Sequence, residues 1–395
     1  MMDHTVSSCS RRDFLRFGGA AIAALALMPA SKGFRAFENI PAVETPPPGD
    51  LDVKIGQMIL AGFRDDKLKD KNPILADIQQ RCLGGVVLFD WDVAMQKYKR
   101  NIKSPEQLAE LDADLLDATP FPPLLISIDQ EGGRINRLKP AYGFPPSYSQ
   151  QYLGDLNELA FTHACAETTA QTLVSAGINL NLAPVVDLNV NPDCPIIGHY
   201  ERSFSAAPEI VTAHALEVIA AHHEHGVLTT LKHFPGHGSS TSDSHQGFVD
   251  VTNTWSEIEL EPFDNIIRAG VCDVVMTAHI FNAHLDADYP ATLSQFTITG
   301  ILRDQLGWDG VVITDDMGMG AITQHYGFEM AAELAVVAGA DILAYAINSA
   351  DGFDPTIPAR AFRVIKGLVE SGVISESRID QSYRRIMRLK ERLMR

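Results

Sequence analysis

Between Leu231 and His245 the chain reads LKHFPGHGSSTSDSH, with three histidines, a lysine and an aspartate set among glycines and a proline. Three chemistries compete for this segment. A metal site would draw on His233, His237 and His245 with Asp243. A four-residue histidine spacing lines up two ligands only on a helix, however, and Pro235, Gly236 and Gly238 break any helix there. A solvated polar loop leaves Lys232 and His233, at the end of an apolar run, unexplained. A catalytic loop accounts for both halves. Lys232 and His233 would point into a pocket and hold hydroxyl or carbonyl oxygens of a ligand. The small residues of PGHGSSTS would let the chain reach over that pocket as a mobile flap. At its tip Asp243 and His245 flank Ser244. A carboxylate two residues from an imidazole can hold one ring nitrogen, leaving the other to give and take a proton near neutral pH.

Proton transfer needs a reacting partner. VVITDDMGMGAI offers Asp315 at the end of a β-branched run, where a carboxylate on a rigid element can attack an electrophilic carbon. Of the adjacent Asp315 and Asp316, only one side chain can face inward. A carboxylate nucleophile opposed by an acid/base group describes glycoside hydrolysis with retention, here with histidine in place of the second carboxylic acid. The chemistry calls for no metal and no cofactor.

These residues need a frame, and the chain repeats one plan from about residue 55. Helical patterns stop at Gly177, Gly226, Gly270 and Gly339, and a short apolar, β-branched run follows each. The runs are QMILAGF, GGVVLF, PLLISID, INLNLAPVVD, VLTTLKHF, CDVVMTAHI, DGVVITDD and DILAYAI. They are continuous rather than alternating, as expected of parallel strands buried on both faces. Eight alternating units predict an α/β fold, a (β/α)8 TIM-type barrel forming a single catalytic domain. An open doubly wound sheet would ordinarily carry a glycine-rich nucleotide turn, and neither G-x-G-x-x-G nor G-x-x-x-x-G-K-[ST] occurs. Barrel active sites gather at the C-terminal strand ends. Those ends carry Asp129, Asp187, Lys232 with His233, His279, and Asp315 with Asp316, whereas the strand starts read as mostly apolar or plain polar.

The balance of 50 acidic against 32 basic residues, a net charge of −18, disfavours nucleic acid as a partner. SRRDFLRFGGAAIAALALMPA pairs Arg11 and Arg12 ahead of an apolar run too short for an ordinary span, the pattern of twin-arginine export. The expected layout is a signal peptide over 1–36, a Pro-rich linker over 37–50 and the barrel over 51–395. Export would leave the protein periplasmic or extracellular, with the membrane involved only through the signal, as an anchor if that signal stays uncleaved. Cys82, Cys165, Cys194 and Cys272 form no C-x-x-C pair and read as free thiols. HHEHG, from His222, reads as a solvated helix end. No obligate protein partner is evident.

The chain resembles the β-N-acetylglucosaminidases of glycoside hydrolase family 3, in the branch acting on peptidoglycan fragments. KHFPGHGSSTSDSH matches that branch's signature in full, and SIDQEGGRINRL, NLAPVVDLN, ERSFS, MTAHI, PATLS and ITDDM match in order over about residues 52 to 394. The resemblance implies a retaining exo-β-N-acetylglucosaminidase acting on glycans with terminal N-acetylglucosamine. It implies Asp315 as nucleophile, His245 as general acid/base and Asp243 as its orienting partner. It also implies Asp129, Arg137, Arg202, Lys232 and His233 as the residues that bind the sugar. An ion pair of Asp129 with Arg134 or Arg137 is the plainer account of Asp129. The chain departs from the family at IIGHYERSF, where His199 and Tyr200 precede the Glu201-Arg202 pair and put the reach of Arg202 in question. Phosphorolysis, β-glucosidase activity and a carbohydrate-binding protein without catalysis are the rivals on the same scaffold.

Overall fold

The computed structural model describes residues 50–69, 71–120, 123–244 and 247–394. The export signal, the linker up to residue 49 and His245 lie outside the described residues. All eight predicted runs contain a strand: β1 (Ile59–Gly62), β2 (Gly85–Leu88), β3 (Leu125–Ile128), β4 (Leu180–Asn181), β5 (Leu228–Phe234), β6 (Val274–Thr277), β7 (Val311–Thr314) and β8 (Leu343–Tyr345). They pair in the order β8-β1-β2-β3-β4-β5-β6-β7, in parallel throughout. A bridge from Ile313 to Ile342 closes the ring, with the Thr314 N–H donating to the Ile342 carbonyl at 3.0 Å. The strands are buried along their whole length, which explains their unbroken apolar sequence.

Local sequence sets where the surrounding helices start and stop. Asn72 and Ser104 accept N–H bonds from Ile74 and Gln107, each ahead of a proline in the first turn. The four glycines read as helix stops all have positive φ, between 72° and 122°. A short hairpin, Trp91–Asp92 with Lys97–Tyr98, was not anticipated from the sequence.

Two irregularities shape the mouth. The fourth run keeps only two ladder residues, because Pro184 has no N–H to continue the pairing. The chain then rejoins β5 through a bridge from Val185 to Lys232, with the Val186 N–H donating to the Lys232 carbonyl at 2.9 Å. On its other side β5 pairs with β6 at Leu231 and next at Phe234. The bulge skips Lys232 and His233, the kind of local break that re-aims side chains beside a site.

HHEHG is not uniformly solvated. His222 is 1% exposed, and its Nδ1 lies 2.8 Å from the Val218 carbonyl while its Nε2 faces the Asn181 amide at 3.0 Å. A carbonyl only accepts, so the ring is neutral with the proton on Nδ1. Burial accordingly pushes its pKa down to about 4. His223 and His225, nearer the surface, face Asp273 and Glu167.

Candidate active site

Strands β3 and β5 deliver the first half of the site. Lys232 Nζ, on the bulge, sits 2.8 Å from Asp129 Oδ1 and 2.6 Å from Glu131 Oε1. Glu131 in turn takes two parallel bonds from Arg202, at 2.8 Å from Nε and 2.7 Å from Nη2. Such bidentate pairing fixes direction as well as distance. Arg202 Nη2 also lies 3.3 Å from His233 Nε2. An arginine N–H can only donate, so Nε2 accepts and the His233 proton sits on Nδ1. That Nδ1 is 2.7 Å from Asp187 Oδ2. Asp129, Glu131, Lys232, Arg202, His233 and Asp187 therefore form one connected network. Arg137 joins it through Asp129 at 3.5 Å and lies over the Phe89 ring.

The charges in this network hold one another. Burial opposes ionisation of Glu131, but Arg202 and Lys232 outweigh it and bring its pKa down to about 2. Burial likewise opposes the charged form of Lys232, and Asp129 and Glu131 overcome that and raise its pKa. Asp129 and Asp187 are lowered despite burial, the first by Lys232 and Arg137, the second by His233. The pocket floor thus presents cationic donors and carboxylate acceptors together, the set needed to hold a ring of hydroxyls.

Arg202 reaches the site in spite of His199 and Tyr200. The Glu201 N–H bonds back to the Gly198 carbonyl and the Arg202 N–H to Ile197, while Glu201 adopts a φ of 58°. This turn throws the extra residues outward, leaving Tyr200 41% exposed, and returns the Arg202 side chain inward. Asp129 pairs with Arg137 as well as with Lys232; Arg134 instead faces Glu201 at 3.8 Å.

On the far side of the mouth, β7 ends at Asp315. Its Oδ1 accepts the Asp316 N–H at 2.8 Å, and its own N–H reaches the Thr277 carbonyl at 3.3 Å. Asp316 is occupied otherwise: its Oδ1 accepts N–H bonds from Gly318 at 3.0 Å and Ala346 at 2.9 Å. His279 Nε2 braces the same turn through the Asp316 carbonyl at 3.0 Å. Of the adjacent pair, Asp316 holds the turn that presents Asp315.

The loop after β5 departs from the flap pictured from its composition. His237, Ser239 and Ser240 are at most 3% exposed. The His237 N–H donates to Asp187 Oδ1 at 2.8 Å, the Gly238 N–H to Glu259 Oε2 at 3.2 Å, and the Asn191 amide to the Ser240 carbonyl at 2.9 Å. Among the described residues from His237 to Ser244, only Thr241 and Ser242 are exposed, and Asp243 is half-buried. The first half of the segment is wall rather than flap, because its backbone N–H groups are spent on buried carboxylates. His233 and His237 use their ring nitrogens on Asp187, Arg202, Ser240 and Ser244.

Sequence reasoning placed Asp187 on the rim without a role, weighed His237 only as a metal ligand, and did not single out Glu131 or Glu259. Glu131 was within reach, since it lies two residues beyond Asp129 and so shares its direction if the strand conformation persists. Glu259, in SEIELEPF, carries no local signal. It is 0% exposed, and burial, against the bonds it accepts, raises its pKa to about 7.

Comparison with known proteins bears on this geometry. Residues 50–389 match the glycosyl hydrolase family 3 N-terminal domain, and residues 8–28 match the twin-arginine translocation pathway signal sequence. The chain is 35% identical over 276 residues to a β-hexosaminidase of Tolumonas auensis, covering 69% of this chain and 78% of the relative. It is 32% identical over 348 residues to β-hexosaminidase A of Pseudoalteromonas piscicida, covering 81% of this chain but only 55% of that longer relative. A solved glycoside hydrolase family 3 β-N-acetylglucosaminidase from Paenibacillus superposes with a TM-score of 0.79 at 36% identity, covering 88% of this chain and 63% of that one. Among the described residues, no helix is long and apolar enough to cross a membrane.

Proposed function

The chain belongs to glycoside hydrolase family 3, and from that membership we propose a retaining exo-β-N-acetylglucosaminidase that removes terminal β-linked N-acetylglucosamine. In the first step Asp315 attacks the anomeric carbon while His245, oriented by Asp243, protonates the departing glycosidic oxygen. In the second, His245 takes a proton from water as the water oxygen displaces Asp315 from the same carbon. Lys232, Arg202 and Arg137 donate to the sugar and its substituents, Asp129 accepts from its hydroxyls, and His233 lines the pocket beside Arg202. The observation that carries this reading is the pairing of a donor–acceptor floor around Lys232 with a carboxylate at the end of β7 whose neighbour, Asp316, is spent on the backbone.

A twin-arginine signal sequence precedes the barrel. The natural substrates then lie outside the cytoplasm, as cell-wall fragments or other N-acetylglucosamine glycans, and the proposed layout is a signal over 1–36, a linker over 37–50 and one barrel over 51–395. The experiment is intact-protein mass after reaction with a slow or 2-fluoro N-acetylglucosamine analogue, followed by peptide mapping. Gain of one sugar on the peptide holding Asp315 is expected. A sugar on any other residue, or inversion at the anomeric carbon, overturns the assignment.

A further inference from the structure

Asp243 is half-buried and follows two exposed residues, Thr241 and Ser242. Ser244, between them, is 1% exposed. Its Oγ lies 3.2 Å from His237 Nε2, and its carbonyl accepts the Ala321 N–H at 3.3 Å. Ala321 belongs to the short helix Gly320–Thr323 that follows Asp315. The residue between acid/base and orienter is thus moored on one side to the loop root and on the other to the segment carrying the nucleophile.

His237 is the fixed point of that mooring. Its ring is 1% exposed, and its Nδ1 is 2.9 Å from Ser240 Oγ, which itself donates to the His237 carbonyl at 3.0 Å. With the Ser240 proton so placed, its lone pairs face Nδ1, so the ring proton sits on Nδ1 and Nε2 accepts from the Ser244 hydroxyl. The His237 N–H is held by Asp187, the carboxylate that also holds His233. Bonds therefore run without a gap from the sugar floor through Asp187 and His237 to Ser244.

We propose that His237 is a positioning residue that sets the Asp243–His245 pair through Ser244. This rests on the reading of His245 as the acid/base. Burial brings the His237 pKa down to about 4, so the ring stays neutral and the bond from Ser244 keeps its sense at working pH.

The test separates positioning from simple loss of structure by leaving group. A 2,4-dinitrophenyl N-acetylglucosaminide departs without a proton, whereas a disaccharide needs one. For both substrates kcat/KM reports the steps up to glycosyl transfer. His237→Ala and Ser244→Ala are each expected to lower kcat/KM on the disaccharide by about 10- to 100-fold, with less than about a threefold loss on the dinitrophenyl substrate. The double variant should lose no more than the worse single one, because both act along one path. Equal losses on both substrates, or losses that multiply in the double variant, overturn the proposal. Should His237→Ala not fold, Ser244→Ala alone decides by its leaving-group ratio. A wild-type enzyme that releases N-acetylglucosamine from neither substrate overturns the hydrolase reading instead, so the two failures are told apart.

Discussion

At the base of the barrel Asp341, 0% exposed, accepts from Arg303 at 2.8 Å, Ser382 at 2.7 Å, Arg385 at 3.3 Å and the Val312 N–H at 3.0 Å. Nearby Asp273 accepts from the Thr229 N–H at 2.8 Å and its hydroxyl at 2.9 Å, and faces His223 and Arg392. At the mouth, Arg137 meets Asp129 only at 3.5 Å, and its buried Nε has no partner among the described residues. Both ends bury charge. Asp341 and Asp273 are saturated, while Arg137 at the mouth keeps donor capacity to spare, and in physical terms spare capacity at the mouth is room for a ligand. Buried charge alone does not mark a site in this molecule.

The sharpest way to break this contrast is at the proposed nucleophile. Asp315→Asn is expected to lower kcat by on the order of 10⁴-fold with the thermal midpoint nearly unchanged, read by N-acetylglucosaminide turnover beside a melting curve. Full turnover in that variant would falsify the assignment of the mouth as the reacting end.

The mirror experiment strips the base. Asp341→Ala leaves Arg303 and Arg385 without their carboxylate and is expected to cost about 3–5 kcal/mol in denaturant unfolding, with kcat of the folded fraction within twofold or so of wild type. Glu131→Gln, at the mouth, should destabilise and raise KM together, because the pair it breaks also aims Lys232 and Arg202. If Asp341→Ala instead cut kcat while sparing stability, the division of labour between the two ends would be wrong.

The contrast also shows where sequence reasoning reached and where it stopped. Strands, helix stops and the rim residues Asp129, Lys232, His233 and Asp315 were legible, because burial of both strand faces and the β/α alternation leave local patterns. Asp273 and Asp341 are the exceptions among strand starts read as mostly apolar or plain polar, and their partners include helix residues 119 and 41 positions away or more than 30 positions upstream. Glu131 and His237 have the same difficulty in milder form. Each is defined by what it touches across the barrel, and no local spacing encodes that. The first half of the loop is held for a related reason: its small residues permit motion, but Asp187 and Glu259 bind the backbone at His237 and Gly238.

A pH experiment sharpens the same contrast. Lys390 on the C-terminal helix Glu376–Glu391 is 3% exposed, with Nζ 2.8 Å from the Gly84 carbonyl and 2.5 Å from Gln57 Oε1. No carboxylate pairs with it among the described residues, and burial lowers its pKa to about 7. Its unfolded pKa is higher, so between the two values the unfolded chain binds more protons and stability rises with pH. The penalty is full below pH 7 and fades toward the ordinary lysine range. Lys390→Met should therefore flatten the stability profile across that window, its difference from wild type shifting by a few kcal/mol between pH 6 and pH 10. Parallel profiles would show that the ammonium pays no desolvation cost at the base.

The smallest effect tests the spare capacity itself. Arg137→Ala removes a guanidinium whose one ion pair is long and whose Nε is unmatched, so folding should change by no more than about 0.5 kcal/mol. Binding should change more, because hydrogen bonds to a charged group are worth about 1.5–3 kcal/mol, and KM is expected to rise by roughly tenfold or somewhat more. Arg137→Lys keeps the charge but not the planar fork, and it should recover only part of the loss if the ligand is held by geometry rather than by field. A variant that loses stability while KM stays put would move Arg137 to the same class as the arginines around Asp341, and the mouth would then differ from the base only at Asp315.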